Sequence, residues 1–113
     1  METSRMELLP VRIGRKLVLI KIDQIDSIEA DRNYVLIHVK ERTYVLRQTL
    51  SRIEKKLNFA RLIRVSRSVI VNIDRIRELR SGGNNTCEVV LDGDRVWSMG
   101  RKFRRNLEKF MVS

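Results

Sequence analysis

The sequence predicts a mostly-β domain of about ten short strands, with one internal helix and one helix at the C-terminus. Three observations carry the prediction. Apolar and polar residues alternate at period two along most of the chain. Turn-forming residues such as Gly14-Arg15, Asp31-Arg32-Asn33 and Asp92-Gly93-Asp94 recur between the alternating stretches. A helical spacing of three and four is confined to residues 50–57 and 103–110.

In chain order, Val11 and Ile13 alternate with Arg12, and Gly14-Arg15 turns the chain into a second strand over residues 17–20. Residues 22–25 read as a turn of helix or a loop, and residues 27–30 as extended. After the Asp31-Arg32-Asn33 turn comes a strong β-branched run, Tyr34-Val35-Leu36-Ile37-His38-Val39. Lys40-Glu41-Arg42 turns it back into residues 43–46. Thr49 is placed to cap a helix whose Leu50, Ile53 and Leu57 share one face, with Arg52, Lys55 and Lys56 facing water. Extended structure resumes over 62–65, is interrupted by Ser66-Arg67-Ser68, continues over 69–71 and 76–79, and gives way to a loop at residues 81–85. Residues 87–91 and 96–99 form a hairpin about Asp92-Gly93-Asp94. The last segment is an amphipathic helix starting near Arg101, with Phe103, Leu107 and Phe110 on one side.

With 113 residues, one domain is expected, burying roughly 60–70% of its unfolded surface. A multi-domain enzyme with its own substrate lobe does not fit this length. A hydrophobic content of 42% argues against a disordered basic tail, and no apolar run approaches the ~18 residues of a membrane span. Residues 1–9 read as a leader or linker without a signal-peptide core, so a cytoplasmic location is expected. The single Cys87 cannot form an intrachain disulfide, and with one histidine it argues against zinc.

The net charge of +10 is unevenly placed: residues 1–31 carry −1 and residues 32–113 carry +11. Such a block points to a polyanionic partner, nucleic acid or an anionic membrane. Arginines outnumber lysines by 17 to 7, which favours paired bonding to phosphate or guanine over simple charge attraction.

No catalytic set is present. His38 lies in an apolar strand without a Ser or Cys partner at a recognisable spacing, and a structural role suits it better. Asp23, Asp26, Glu29 and Asp31 lack the spacing of a calcium loop and read as a solvated face. Cys87 reads as a small buried hydrophobe. Gly82-Gly83 is not followed by the Lys-Ser/Thr of a phosphate loop. Of six aromatics, four fall at core-like positions, which leaves no stacking platform for single strands and favours a duplex. Two basic clusters remain. One spans residues 61–80, around Arg64-Val65-Ser66-Arg67-Ser68; the other is Arg101-Lys102-Phe103-Arg104-Arg105. Either cluster alone suits a solvated surface as well as it suits phosphate binding.

The order of motifs is similar to the LytTR DNA-binding domains. The resemblance runs through Ile25-Asp26-Ser27-Ile28-Glu29-Ala30, Asn33-Tyr34-Val35, residues 44–57, Arg64-Val65-Ser66-Arg67-Ser68-Val69-Ile70-Val71-Asn72, Leu91-Asp92-Gly93 and Gly100-Arg101-Lys102-Phe103. It covers residues 10–110, and its most specific piece is Arg67 to Asn72. It implies an elongated fold of small sheets and a bacterial transcription regulator, the output domain of a two-component response regulator. Loops would enter successive major grooves and the DNA would bend. Asn33, Arg67 and Arg101 match the family's base-contacting loops. Arg32, Arg64, Ser66, Ser68, Lys102, Arg104 and Arg105 would then hold phosphates. Ser66 and Gly100 stand where the family often has His and Ser. The expected partner is double-stranded DNA with tandem repeat sites, bound by a homodimer without cofactor. A receiver domain or separate signalling partner would supply the input. The alternative is a basic β module that binds an acidic protein or anionic membrane through the apolar face of its terminal helix.

Overall fold

The computed structural model describes residues 7–57, 61–81, 83 and 86–112. Strands β1 (Leu8–Ile13) and β2 (Lys16–Lys21) form a two-stranded hairpin. Strands β3 (Ser27–Asp31), β4 (Tyr34–Val39), β5 (Arg42–Leu46), β6 (Leu62–Ser66) and β7 (Val69–Asn72) form a five-stranded sheet in the order β5-β4-β3-β7-β6. Strands β8 (Ile76–Ser81), β9 (Cys87–Leu91) and β10 (Val96–Met99) form the third sheet, with β9 in the middle. Every pairing is antiparallel. Helix α1 (Leu50–Lys56) joins β5 to β6, and α2 (Arg104–Glu108) follows a 3-10 turn at Arg101–Phe103. The mostly-β architecture of small sheets, with one internal and one C-terminal helix, is the one the periodicity predicts. The molecule spans 47 × 42 × 25 Å, extended in two directions and thin in the third.

The five-stranded sheet is the spine because it is buried on both faces where β7 runs. Val69 and Val71 point to one side, into a core with Ile63, Val65, Val89, Leu91, Met99 and Leu107. Ile70 points to the other, into a core with Ile28, Val35, Ile37, Leu9, Val11, Leu50 and Ile53. That two-sided burial explains why Val69-Ile70-Val71 is an unbroken apolar run while the neighbouring strands alternate. Helix α1 closes the second core with Leu50, Ile53 and Leu57, each worth about 1.5–3 kcal/mol when fully buried. Its start is fixed by Thr49, whose hydroxyl accepts from Arg52 N at 3.2 Å, satisfying one of the helix's orphan donors.

Several local expectations differ from the structure. Strand β1 starts at Leu8 and sends Leu9 into the core, so the residues read as leader are partly sheet; residues 1–6 lie outside the described set. Ser81 ends β8 rather than opening the loop, and Gly82, Asn84, Asn85 and Phe59 also lie outside that set. The five described aromatics, Tyr34, Tyr44, Trp97, Phe103 and Phe110, are half-buried or exposed, not core. Tyr44 and Trp97 are half-buried and pack against the two cores from the edge strands β5 and β10. Cys87 is likewise half-buried.

The acidic run is only partly a solvated face: Asp23 and Asp31 are exposed, whereas Asp26 and Glu29 are half-buried and bonded. Asp26 accepts from Lys40 N at 2.7 Å and pairs with Arg75 at 3.2 Å. Glu29 takes His38 Nε2 at 2.8 Å, while His38 Nδ1 meets Thr43 Oγ1 at 3.0 Å. The sheet register causes this, because it places Ser27 beside both His38 and Val71 and brings distant polar residues together. His38 therefore has the structural role the sequence suggests.

Candidate nucleic-acid interface

Two hairpin turns open at one end of the five-stranded sheet: Arg32-Asn33 between β3 and β4, and Arg67-Ser68 between β6 and β7. Glu29 pairs with Val69, so β3 runs two residues past the start of β7. Its turn therefore projects further, by about 7 Å at the usual strand rise. Ala30 N donates to Ser68 O at 2.8 Å and ties the two turns together.

The third segment, residues 100–103, arrives from β10 of the other sheet. Gly100 N donates to Val65 O at 2.8 Å, and Asn106 Nδ2 of α2 donates to Arg64 O at 3.0 Å. These bonds seat the segment against the β6–β7 turn. Ser66, Arg67, Ser68, Gly100, Arg101, Lys102 and Phe103 line one open concavity of about 610 Å³. Arg67 and Arg101 are 34 positions apart in the chain and share this wall.

A Cβ at Gly100 would lie 3.0 Å from Cδ2 of Phe103, so a serine there would need that ring to shift by a few tenths of an ångström. Lys102 Nζ in turn sits 5.5 Å from the centre of that ring.

The cationic surface continues past the concavity. Arg101, Lys102, Arg104 and Arg105 line a neighbouring depression of about 470 Å³ with Glu108. Arg80 joins Arg101 and Arg104 in another of about 310 Å³. The sequence places Arg80 in a basic cluster without giving it a contact role, and on β8 it approaches Glu78 at 3.6 Å with both side chains half in water.

Electrostatics distinguishes these arginines from others in the molecule. Arg32, Arg67, Arg101 and Arg105 are exposed and have no acidic partner among the described residues. Arg104 approaches Glu108 only at 3.9 Å, with both side chains largely in water. By contrast, Arg77 is paired with Asp94 at 2.7 Å, and that hydrogen bond raises its pKa above the ordinary arginine value. Arg32 also sits at φ 59°, the left-handed region, where a side chain costs roughly 1–2 kcal/mol.

The site residues expected from the sequence thus fall into three groups. Arg67, Ser66, Ser68, Arg101 and Lys102 come together in one concavity, with Arg104 and Arg105 beside it. Asn33 and Arg32 occupy the adjacent, more projecting turn at the same end of the sheet. Arg64 points the other way, with a side chain only 14% exposed and bonded to Glu54 of α1 at 2.7 Å. Strand alternation explains the difference. Leu62 and Arg64 face α1, Ile63 and Val65 face the third sheet, and a register shift near Val65 resets the phase before Ser66.

Among the described residues, no cluster of His, Cys, Asp and Glu could hold a metal ion, and no helix is long and apolar enough to cross a membrane.

Residues 15–111 match the family described as the LytTr DNA-binding domain. The chain is 33% identical over 100 residues to the transcriptional regulatory protein LytR of Staphylococcus aureus, covering 88% of this chain and 41% of that protein. It is 32% identical over 110 residues to the sensory transduction protein LytT of Bacillus anthracis, covering 96% and 44%. The chain therefore spans less than half the length of these relatives. Its fold is similar to the LytTr DNA-binding domain of a methyl-accepting/DNA response regulator from Bacillus cereus, with a TM-score of 0.78 at 17% identity, covering 91% of this chain and 94% of that one.

Proposed function

The chain belongs to the LytTr DNA-binding domain family, and from that premise we propose that it binds double-stranded DNA sequence-specifically as the output unit of a cytoplasmic bacterial response regulator. The observation that carries this is the convergence of unpaired arginines from separate elements at one end of the sheet. Arg67 and Arg101 share one open concavity, and each can bond guanine with two N–H groups. Asn33, on the projecting turn, has the amide that pairs with adenine. Lys102, Arg104, Arg105 and Arg32 surround them as phosphate contacts, with Arg80 added from β8. The Ser66 hydroxyl accepts from Ser68 N at 3.3 Å, which leaves its proton for an oxygen of the backbone, and Ser68 offers a second hydroxyl.

Turns projecting by different amounts suit a duplex whose grooves are met in succession and which bends to reach them. Two copies on tandem sites would repeat the contact about one helical turn apart. The binding unit is residues 10–110, extended back to Leu8 by β1. A receiver domain, in the same chain or a separate protein, would supply the signal.

The reading as a membrane or acidic-protein module needs a free apolar stripe on the terminal helix. Leu107 is buried in the core and Phe103 is half-buried, so of the three apolar residues only Phe110 is exposed.

Selection of bound duplexes from a random pool at near-physiological salt is the direct test. A recovered motif, repeated near a 10-bp period, is the expected result. For six to ten neutralised phosphates, log K should fall against log salt with a slope of about −5 to −9. A flat salt response together with an unenriched pool would overturn the proposal.

A further inference from the structure

Arg64, in β6, is the least exposed arginine of the basic cluster at residues 61–80, and each of its three side-chain nitrogens has a protein partner. Nε donates to Ser66 O at 2.9 Å, Nη2 donates to Arg67 O, and Nη1 donates to Glu54 Oε1 at 2.7 Å. One edge of the guanidinium thus grips two successive carbonyls of the recognition turn, and its far corner is anchored on α1.

The neighbouring carbonyls are held as well. Arg64 O accepts from Asn106 of α2, Val65 O from Gly100 N, and Ser68 O from Ala30 N of β3. Five consecutive carbonyls, at residues 64–68, are therefore tied down from α1, α2, β3 and the segment that carries Arg101. The Ser66 and Arg67 carbonyls are the two held by the Arg64 side chain. Ser66 ends β6 opposite Val69 of β7, and Arg67 lies beyond it in the turn.

We propose that Glu54 and Arg64 act as positioning residues that fix the Arg67-Ser68 turn in the shape it needs to read a base, while making no contact with DNA. This rests on the reading of that turn as a base-contacting element. Three physical points support it. Three of the five N–H donors of Arg64 are committed to two carbonyls and a carboxylate, and its side chain is only 14% exposed, so little of it is open to a phosphate. The turn carbonyls carry partial negative charge and would repel an approaching phosphate; a guanidinium behind them offsets that field. A base-reading arginine loses discrimination when its backbone wanders, so rigidity behind Arg67 serves specificity more than affinity.

The experiment uses the duplex recovered by random-pool selection and a scrambled duplex of equal length. Arg64→Lys keeps the charge but cannot hold two carbonyls and a carboxylate in one plane. Glu54→Gln removes a negative charge, which by charge alone should tighten binding to every duplex. The proposal expects both variants to lose ten-fold or more on the selected duplex, to stay within about two-fold of wild type on the scrambled one, and to keep the salt slope. It also expects the Ala30 amide, donor to Ser68 O, to exchange faster with solvent in Arg64→Lys. Thermal midpoints measured alongside show that both variants are folded at the assay temperature.

If Arg64→Lys binds both duplexes nearly as well as wild type, while Arg64→Ala loses equally on both and lowers the salt slope by about one, Arg64 is a phosphate contact and the proposal is overturned. Tighter binding of both duplexes by Glu54→Gln overturns it too, as does a lower melting point with an unchanged ratio between duplexes. Failure of the wild-type chain to select any sequence would instead overturn the reading of the turn itself, so the two failures are distinguishable.

Discussion

The two ends of the five-stranded sheet use arginine in opposite ways. At the end with the β4–β5 turn, two guanidinia are matched to carboxylates, Arg61 to Asp74 at 2.8 Å and Arg75 to Asp26 at 3.2 Å, while Arg42 donates to the Tyr44 hydroxyl at 3.1 Å. Arg75 also donates to Asp23 O, and Asn72 closes the same corner by donating to Ile25 O at 2.8 Å. At the other end, Arg32, Arg67, Arg101 and Arg105 have no carboxylate partner among the described residues. A count of charges along the chain cannot separate the ends, because residues 61–80 contribute to both. What separates them is whether the protein has already supplied the anion. Unpaired exposed cations cost little in water and keep their bonding capacity for phosphate and base edges.

The largest expected effects test whether that difference is functional. Arg67→Ala and Arg101→Ala should each weaken binding to the selected duplex by about 1–3 kcal/mol and relax base preference at one position each. Because the two side chains line the same concavity, the double variant should depart from additivity. Arg61→Ala, at the paired end, should leave DNA binding unchanged, since its 58%-exposed side chain serves a surface ion pair worth about 0–1 kcal/mol. Equal losses on selected and scrambled duplexes would reassign Arg67 and Arg101 to phosphate contacts. A loss with Arg61→Ala as large as theirs would break the comparison.

Next in size is a stability effect with the opposite placement. Arg75 is 31% exposed and Asp26 20%, so this pair is better shielded than the one at Arg61. Arg75→Ala should cost roughly 1 kcal/mol of folding stability in a denaturant titration, with unchanged affinity for the selected duplex. The expected split is therefore function without much stability at one end, and stability without function at the other. Arg105→Ala sharpens the first half. As a phosphate contact it should lower affinity about equally for all duplexes and reduce the salt slope by about one.

Much of this was legible in the sequence, for reasons that can be named. Strand β4 is bounded as its β-branched run and flanking turn residues predict, and Thr49 caps α1 because its hydroxyl precedes the first residue of a 3-4 apolar pattern. Those are local signals. What the sequence left open depends on contacts across the sheet. Arg64 and Arg67 both look available to DNA in the string Arg-Val-Ser-Arg-Ser, but Arg64 lies within β6 and is bonded to Glu54, whereas Arg67 lies in the exposed turn beyond the strand. The acidic residues 23–31 look like a solvated run, but the sheet pairing sets Glu29 on His38 and Asp26 on Arg75, leaving Asp23 and Asp31 exposed. Short-range periodicity carries no information about which distant cation a carboxylate will meet. The motif resemblance could mark Arg67 and Arg101 as a set, but their sharing of one wall depends on the bond from Gly100 N to Val65 O.

The smallest expected effect is the most diagnostic of the two turns themselves. Arg32, at the cationic end, and Lys40, in the β4–β5 turn, both hold positive φ, 59° and 54°. Each pays the left-handed penalty that glycine avoids, so Arg32→Gly and Lys40→Gly should relieve comparable strain. Glycine's extra freedom in the unfolded chain offsets part of that gain, leaving a net change within about 0.5–1 kcal/mol for either variant in a denaturant titration. Lys40 N is held by the Asp26 carboxylate at 2.7 Å, a bond glycine keeps, so nothing but strain and one surface charge changes there. DNA binding should therefore separate the pair: Arg32→Gly loses affinity and salt slope, and Lys40→Gly loses neither. If strain at Arg32 is retained because an arginine is needed where the turn meets phosphate, only that turn exchanges stability for binding. Equal behaviour of the two variants toward DNA would show that the left-handed residue at the β3–β4 turn is a feature of tight hairpins in this sheet and has no part in recognition.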